Sequence, residues 1–186
     1  MSEAFVVLWS LERCRWLKKV RDTGPLEVIF GGPHTSQPSL DSVSEGDVIY
    51  PICVQSGTLH LIARMTVQSL VPPEEFVQMR WGISRPQGRM WDEVFRECQI
   101  SRASVGHRLP ITCCDIAAVG QSGSDIRFDR TFPGELLESL RFGPTPSKER
   151  PLSGVADGKL KSSLTFQGHV RRLNFVSAEL FDEHFS

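Results

Sequence analysis

Residues 45–70, EGDVIYPICVQSGTLHLIARMTVQSL, constrain the fold more than any other stretch of the chain. Val48 to Val54 is rich in β-branched and aromatic residues, which suit a pleated surface. Gln55-Ser56-Gly57-Thr58 interrupts the run with a Ser-Gly turn signal. Beyond it Leu59, Leu61, Ala63, Met65 and Val67 fall on one face, with His60, Ile62, Arg64 and Thr66 on the other. A period of two is the mark of a strand with one buried face. Gly46-Asp47 reads as the turn that precedes the hairpin. Pro51 has no N–H to donate to a ladder, so it predicts an edge strand or a bulge.

The rest of the chain supplies short elements around this hairpin. Ala4 to Trp9 (AFVVLW) has the length and apolarity of a buried strand. Ser10 suits an N-cap, and Leu11, Cys14, Leu17 and Val20 recur at helical spacing. A helix over 11–21 is expected to end at Thr23-Gly24-Pro25, followed by a strand over Leu26–Phe30 and a turn at Gly31-Gly32-Pro33-His34. After Pro72-Pro73, residues 74–79 and 89–98 read as helices on either side of a loop at 81–88, so 72–109 reads as a helical and loop insertion. Further strands are expected at 111–119, 126–128, 159–166 and 169–175, with a turn at 121–125. A helix is expected over 133–140, a long loop over 143–157, and a last helix capped by Ser177.

Strand, helix, strand, loop and a Gly-Asp hairpin ending in Ala63-x-Met65-x-Val67 resembles the PUA-like superfamily, in particular its EVE, YTH and ASCH branches. The resemblance covers residues 4–70 and implies a small β-barrel with a strand of the Gly-Asp kind at its centre. The expected fold class is therefore α+β. It is a small mixed or antiparallel PUA-like β-barrel of about six to seven strands with short flanking helices. One domain over 1–186 is expected, which is long enough to bury a core without staples.

Composition narrows the function classes. Net charge is −1, so no global basic field marks a nucleic-acid partner. The charge is nonetheless segregated, with basic stretches at 11–21, 80–108 and 141–172 and an acidic stretch at 22–49. Such segregation permits a basic face; equally, the stretches are ordinary solvated surface that never converges. The five cysteines form no C-x-x-C pair. With no apolar run near the roughly 18–20 residues a membrane span needs, and no export signal in MSEAFVVLWSLERCRW, reduced thiols and a cytoplasmic location are expected. The five histidines lack the spacing of a zinc helix, no G-x-S-x-G elbow occurs, and Ser122 in GQSGSD reads as a turn residue. No metal or cofactor is expected.

The aromatic residues point furthest toward a ligand. Four tryptophans stand beside one tyrosine. Aromatic faces hold unstacked bases while polar neighbours read base edges. Trp81 lies in a Gly-, Pro- and Arg-containing stretch with Arg80, Arg85 and Arg89 around it, an arrangement that suits base stacking with phosphate contact. Trp16 sits beside the basic stripe of the first helix, whereas Trp9 and Trp91 read as core. Gly31-Gly32 with His34 makes either a strand-ending turn or a close backbone approach to a ligand. The resemblance places this loop near the mouth of a pocket that EVE- and YTH-like domains use for a modified base. The expected ligand-binding set is thus Trp81, Arg80, Arg85, Arg89, Trp16, Gly31, Gly32 and His34. The expected function is a nucleic-acid-binding module, for RNA or modified DNA. One alternative is an ASCH-like hydrolase of nucleosides or RNA using Glu12 and Lys18, although the chain lacks that branch's Gly-x-Lys spacing. The other is a protein-interaction module serving a defence or toxin system.

Overall fold

The structure, a computed structural model, describes residues 2–32, 38–82, 114–166 and 170–185. The expected helix at 89–98, the loop at 83–88, and Arg85, Arg89, Trp91 and His34 lie outside the described residues.

The fold is α+β, built on a largely antiparallel sheet. Its strands are β1 (Ala4–Leu8), β2 (Val28–Gly31), β3 (Val48–Gln55), β4 (Thr58–Leu61), β5 (Met65–Val71), β6 (Ile116–Gly123), β7 (Arg141–Phe142), β8 (Arg150–Pro151) and β11 (Arg171–Leu173). A small ribbon pairs β9 (Val155–Ala156) with β10 (Lys159–Leu160). Among the described residues three α-helices flank the sheet: α1 (Leu11–Lys19), α2 (Pro73–Trp81) and α3 (Phe175–Glu183). The sheet order is β2-β6-β5-β3-β1-β11-β7-β8, with β4 also on β3. Among the described residues β1 and β3 form the parallel pair, and no pairing joins β2 to β8. The described strands outnumber the six or seven expected because the loop expected over 143–157 contains two-residue strands too short to show a period.

Burial explains the middle of the sheet. β1 and β3 are covered on both faces, so their sequences run apolar rather than alternating. Phe5, Val7, Ile49 and Cys53 join the core beneath α1. Val6, Tyr50, Ile52, Leu59 and Leu61 join a second core, closed by Phe132, Phe166 and Phe181. A third, smaller core packs Phe76 and Val77 of α2 on Val28, Phe30 and Ala117. No helix among the described residues is long and apolar enough to cross a membrane.

The hairpin forms where expected, with two differences. First, the expected second strand is divided. β4 pairs with the far end of β3, β5 with its near end, and residues 62–64 bridge the two. Second, Pro51 sits in the centre of the sheet rather than at an edge. Its carbonyl accepts the Ile62 N–H at 2.9 Å, which turns its missing N–H toward the break between β4 and β5. The break removes the donor requirement that bars proline from central strands.

Four other expectations are corrected. Residues 121–123 continue β6 instead of turning. A side chain at Gly120 would collide with Met65, and one at Gly123 with the Leu26 backbone, so these glycines serve close strand approach. The cap of α3 is Asn174, whose Oδ1 accepts the Ser177 N–H at 2.9 Å; the buried Ser177 hydroxyl instead accepts the Arg141 N–H at 2.9 Å. Residues 159–166 form β10 and then a 3-10 turn at Ser163–Phe166, while residues 134–139 are 3-10 rather than α-helical.

Candidate functional site

Helix α1 places the chemistry. Ser10 caps it, its hydroxyl accepting the Arg13 N–H at 3.2 Å, and Glu12 and Lys18-Lys19 complement the helix dipole at opposite ends. One face is buried through Arg13, Cys14 and Leu17. A neighbouring flank, Leu11, Cys14, Arg15 and Lys18, lines a groove against the β3–β4 hairpin. Cys53, Gln55, His60 and Ile62 form the hairpin wall, and Phe128 closes the groove from the following loop. The groove is open to solvent, and its free space of about 270 Å³ counts that open solvent.

The hairpin wall follows from the turn. Ser56 and Gly57 both take positive φ, +51° and +81°, the two-residue geometry that matches strand twist. That turn pairs Gln55 with Thr58, and therefore Cys53 with His60. Directly opposed residues share a face, so thiol and imidazole both reach the groove. The Ile62 carbonyl accepts the Arg127 N–H at 2.8 Å and holds the Phe128 loop in place. Lys18 Nζ lies 5.0 Å from the centre of the Phe128 ring, within cation–π reach.

Two features make the groove electrostatically incomplete. Arg64, Arg80, Arg127 and Arg172 are each paired with a carboxylate: Asp182, Glu27, Asp129 and Glu3 respectively. Arg15 and Lys18 have no carboxylate partner among the described residues. In addition, the buried His60 Nδ1 has no hydrogen-bond partner among them. Burial, and then the charge of Lys18, pull the His60 pKa below its ordinary value, while a backbone contact at Phe128 opposes them. Both effects favour the neutral imidazole, one of whose ring nitrogens is unmatched among the described residues.

The thiols are perturbed in opposite directions. Interaction with Cys14 lowers the Cys53 pKa, burial opposes this, and Lys18 and Arg15 lower it further. Cys14 is pushed up by the same partner and by burial. On the other flank of α1, Arg13 is buried with its guanidinium 5.5 Å from the centre of the Trp9 ring, and burial brings its pKa down to about 10. No cluster of three or more His, Cys, Asp or Glu side chains suited to a metal ion occurs among the described residues.

Of the expected ligand set, Arg85, Arg89 and His34 lie outside the described residues, and the others are placed as follows. Arg80 makes a two-pronged ion pair with Glu27, both contacts at 3.0 Å. Trp81 is the last residue of α2, and its side chain lies outside the description. Trp16 packs, partly buried, on the core under α1. Gly31 is buried at the end of β2, where a Cβ would lie 2.6 Å from both Leu40 Cγ and the Pro38 carbonyl oxygen. Gly32 donates its N–H to that same carbonyl at 3.1 Å. The chain's own 38–40 segment thus occupies the space these glycines leave. Of the hydrolase pair, Lys18 lines the groove and Glu12 does not. The residues that do converge were legible only in part. Counting outward from Ser56-Gly57 brings Cys53 opposite His60, but the meeting with α1 and Phe128 is tertiary.

Comparison with protein-family models, with curated proteins and with solved structures finds no match.

Proposed function

We propose that this chain is a nucleic-acid-binding module of PUA-like plan and that its ligand-facing surface is the groove between α1 and the β3–β4 hairpin. The observation that carries the reading is the pair of cations, Arg15 and Lys18, with no carboxylate partner among the described residues, at a groove that also holds an aromatic ring. Cations left free of carboxylates are free for phosphate. With Lys18 drawn from over its ring to a phosphate, Phe128 offers a face for a base, and Gln55 and His60 offer hydrogen-bonding groups for a base edge. The element order β1, α1, β2 and the Gly46-Asp47 hairpin supports the PUA-like plan.

Titration with short single-stranded RNA and DNA, with plain and modified bases, tests the reading. Arg15→Gln with Lys18→Gln should reduce the salt slope of binding by about one to two, since a single strand releases on the order of 0.7 counterion per contact. Phe128→Ala should weaken binding by about 1–3 kcal/mol. Arg80→Ala, which removes a cation already paired with Glu27, should leave affinity unchanged. Absence of binding at low salt, or equal affinity in the double variant, would end the proposal.

A further inference from the structure

Cys14 and Cys53 come from different elements, 39 positions apart, yet line one groove and share one core cluster. Their thiols lie close enough to perturb each other's ionisation, and both are unbridged. Each is almost fully buried as a residue, at 4% and 3% exposure, so access is through the groove. Arg15 and Lys18 stand beside them, which is the electropositive setting that favours thiolate over thiol. Cys114, half-buried, does not line the groove.

We propose that Cys14 and Cys53 form a peroxide-reactive pair, with Cys53 the attacking thiol and Cys14 the one that resolves it to a disulfide. The oxidant is hydrogen peroxide. The Cys53 thiolate attacks one peroxide oxygen, the O–O bond breaks, and the leaving hydroxide takes a proton and departs as water. Cys53 is now a sulfenic acid. The Cys14 sulfur then attacks the Cys53 sulfur as its own proton is lost; the S–O bond breaks and that oxygen leaves as a second water. Two thiols are oxidised to one disulfide and one hydrogen peroxide is reduced. The order of roles follows from position: Cys53 stands on the hairpin wall directly opposite His60, with Arg15 and Lys18 across the groove to favour its ionised form, and Cys14 on α1 faces it as the second thiol. The product bond would tie α1 to β3 across the floor of the groove. This inference stands whatever the groove binds.

The experiment treats the full chain with hydrogen peroxide and follows intact mass and the cross-linked peptides. The wild type should lose two hydrogens, with Cys14 and Cys53 in one disulfide-linked peptide pair. Cys14→Ser should gain one oxygen at Cys53, captured by a 1,3-diketone. Cys53→Ser should remove the fast reaction. Arg15→Gln with Lys18→Gln leaves both thiols in place and should slow the wild-type reaction by about tenfold; this variant also decides the matter if the serine variants do not fold. A disulfide joining other cysteines, a fast reaction surviving in Cys53→Ser, or a rate unchanged by loss of the two cations would overturn the proposal.

Discussion

The carboxylate of Asp47 accepts two backbone N–H groups at 2.8 Å each, one from Glu3 and one from Ser44. It thereby joins the segment before β1 to the loop before β3, and it is buried. In the sequence it looks like a turn residue, because a hydrogen bond across 44 positions leaves no local trace. Asp47→Ala strands both donors and should cost about 2–3 kcal/mol by chemical denaturation, with Asp47→Asn closer to wild type. His60 offers a test of sign. Its folded pKa lies below its ordinary value near 6.5, so the unfolded chain binds the proton more readily. Its contribution is fully present above that value and is lost as pH falls through the depressed one. Denaturation midpoints measured from roughly pH 7 to pH 5 should fall, and His60→Gln should flatten that window. Asp22, raised mainly by burial, acts in the opposite sense in the acid range, favouring the fold at low pH. Arg80 shows why basic residues in a sequence mislead: whether a cation is free depends on Glu27, 53 positions away.

At the scale of elements, the turn between β3 and β4 sets the register that brings Cys53 to His60. Gly57 sits at φ +81°, and a Cβ there would lie 3.1 Å from the Leu160 carbonyl oxygen. Gly57→Ala should therefore lower stability by about 1–2 kcal/mol, read from the denaturation midpoint. This turn, Ser10 as a cap and the buried strand β1 were all legible, since each depends on neighbours within four residues. The misreadings share a cause as well. Gly120 and Gly123 carry the composition of a turn, but they meet Met65 and Leu26 across the sheet. Pro51 carries the signature of an edge, but a break in its partner strand admits it to the centre. Ser177 and Asn174 are both good caps, and the buried hydrogen bond to Arg141 decides between them. In each case the deciding contact is distant in sequence.

At the scale of the whole molecule, α+β character was readable from short, scattered apolar runs, while the strand order was not. The second core depends on α3: Phe181 is fully buried, with its ring 5.3 Å from Tyr50 and 5.1 Å from Phe132. The same helix is fastened at its rim by Asp182, which accepts from the Tyr50 hydroxyl at 2.6 Å and from Arg64 Nε at 2.8 Å. Phe181→Ala should cost about 3–5 kcal/mol, and calorimetry should show the loss as a lowered Tm of a single transition. The position of β1 has a consequence in time as well. It lies between β3, which follows it by some forty residues, and β11, which is complete only at Leu173. During synthesis, one side of the central strand therefore waits, bare, through the making of nearly the whole described chain. An open apolar strand edge invites pairing with other chains. The hazard for this molecule thus falls on the ribosome, in the interval before β11 emerges, and any stalled or shortened product inherits it.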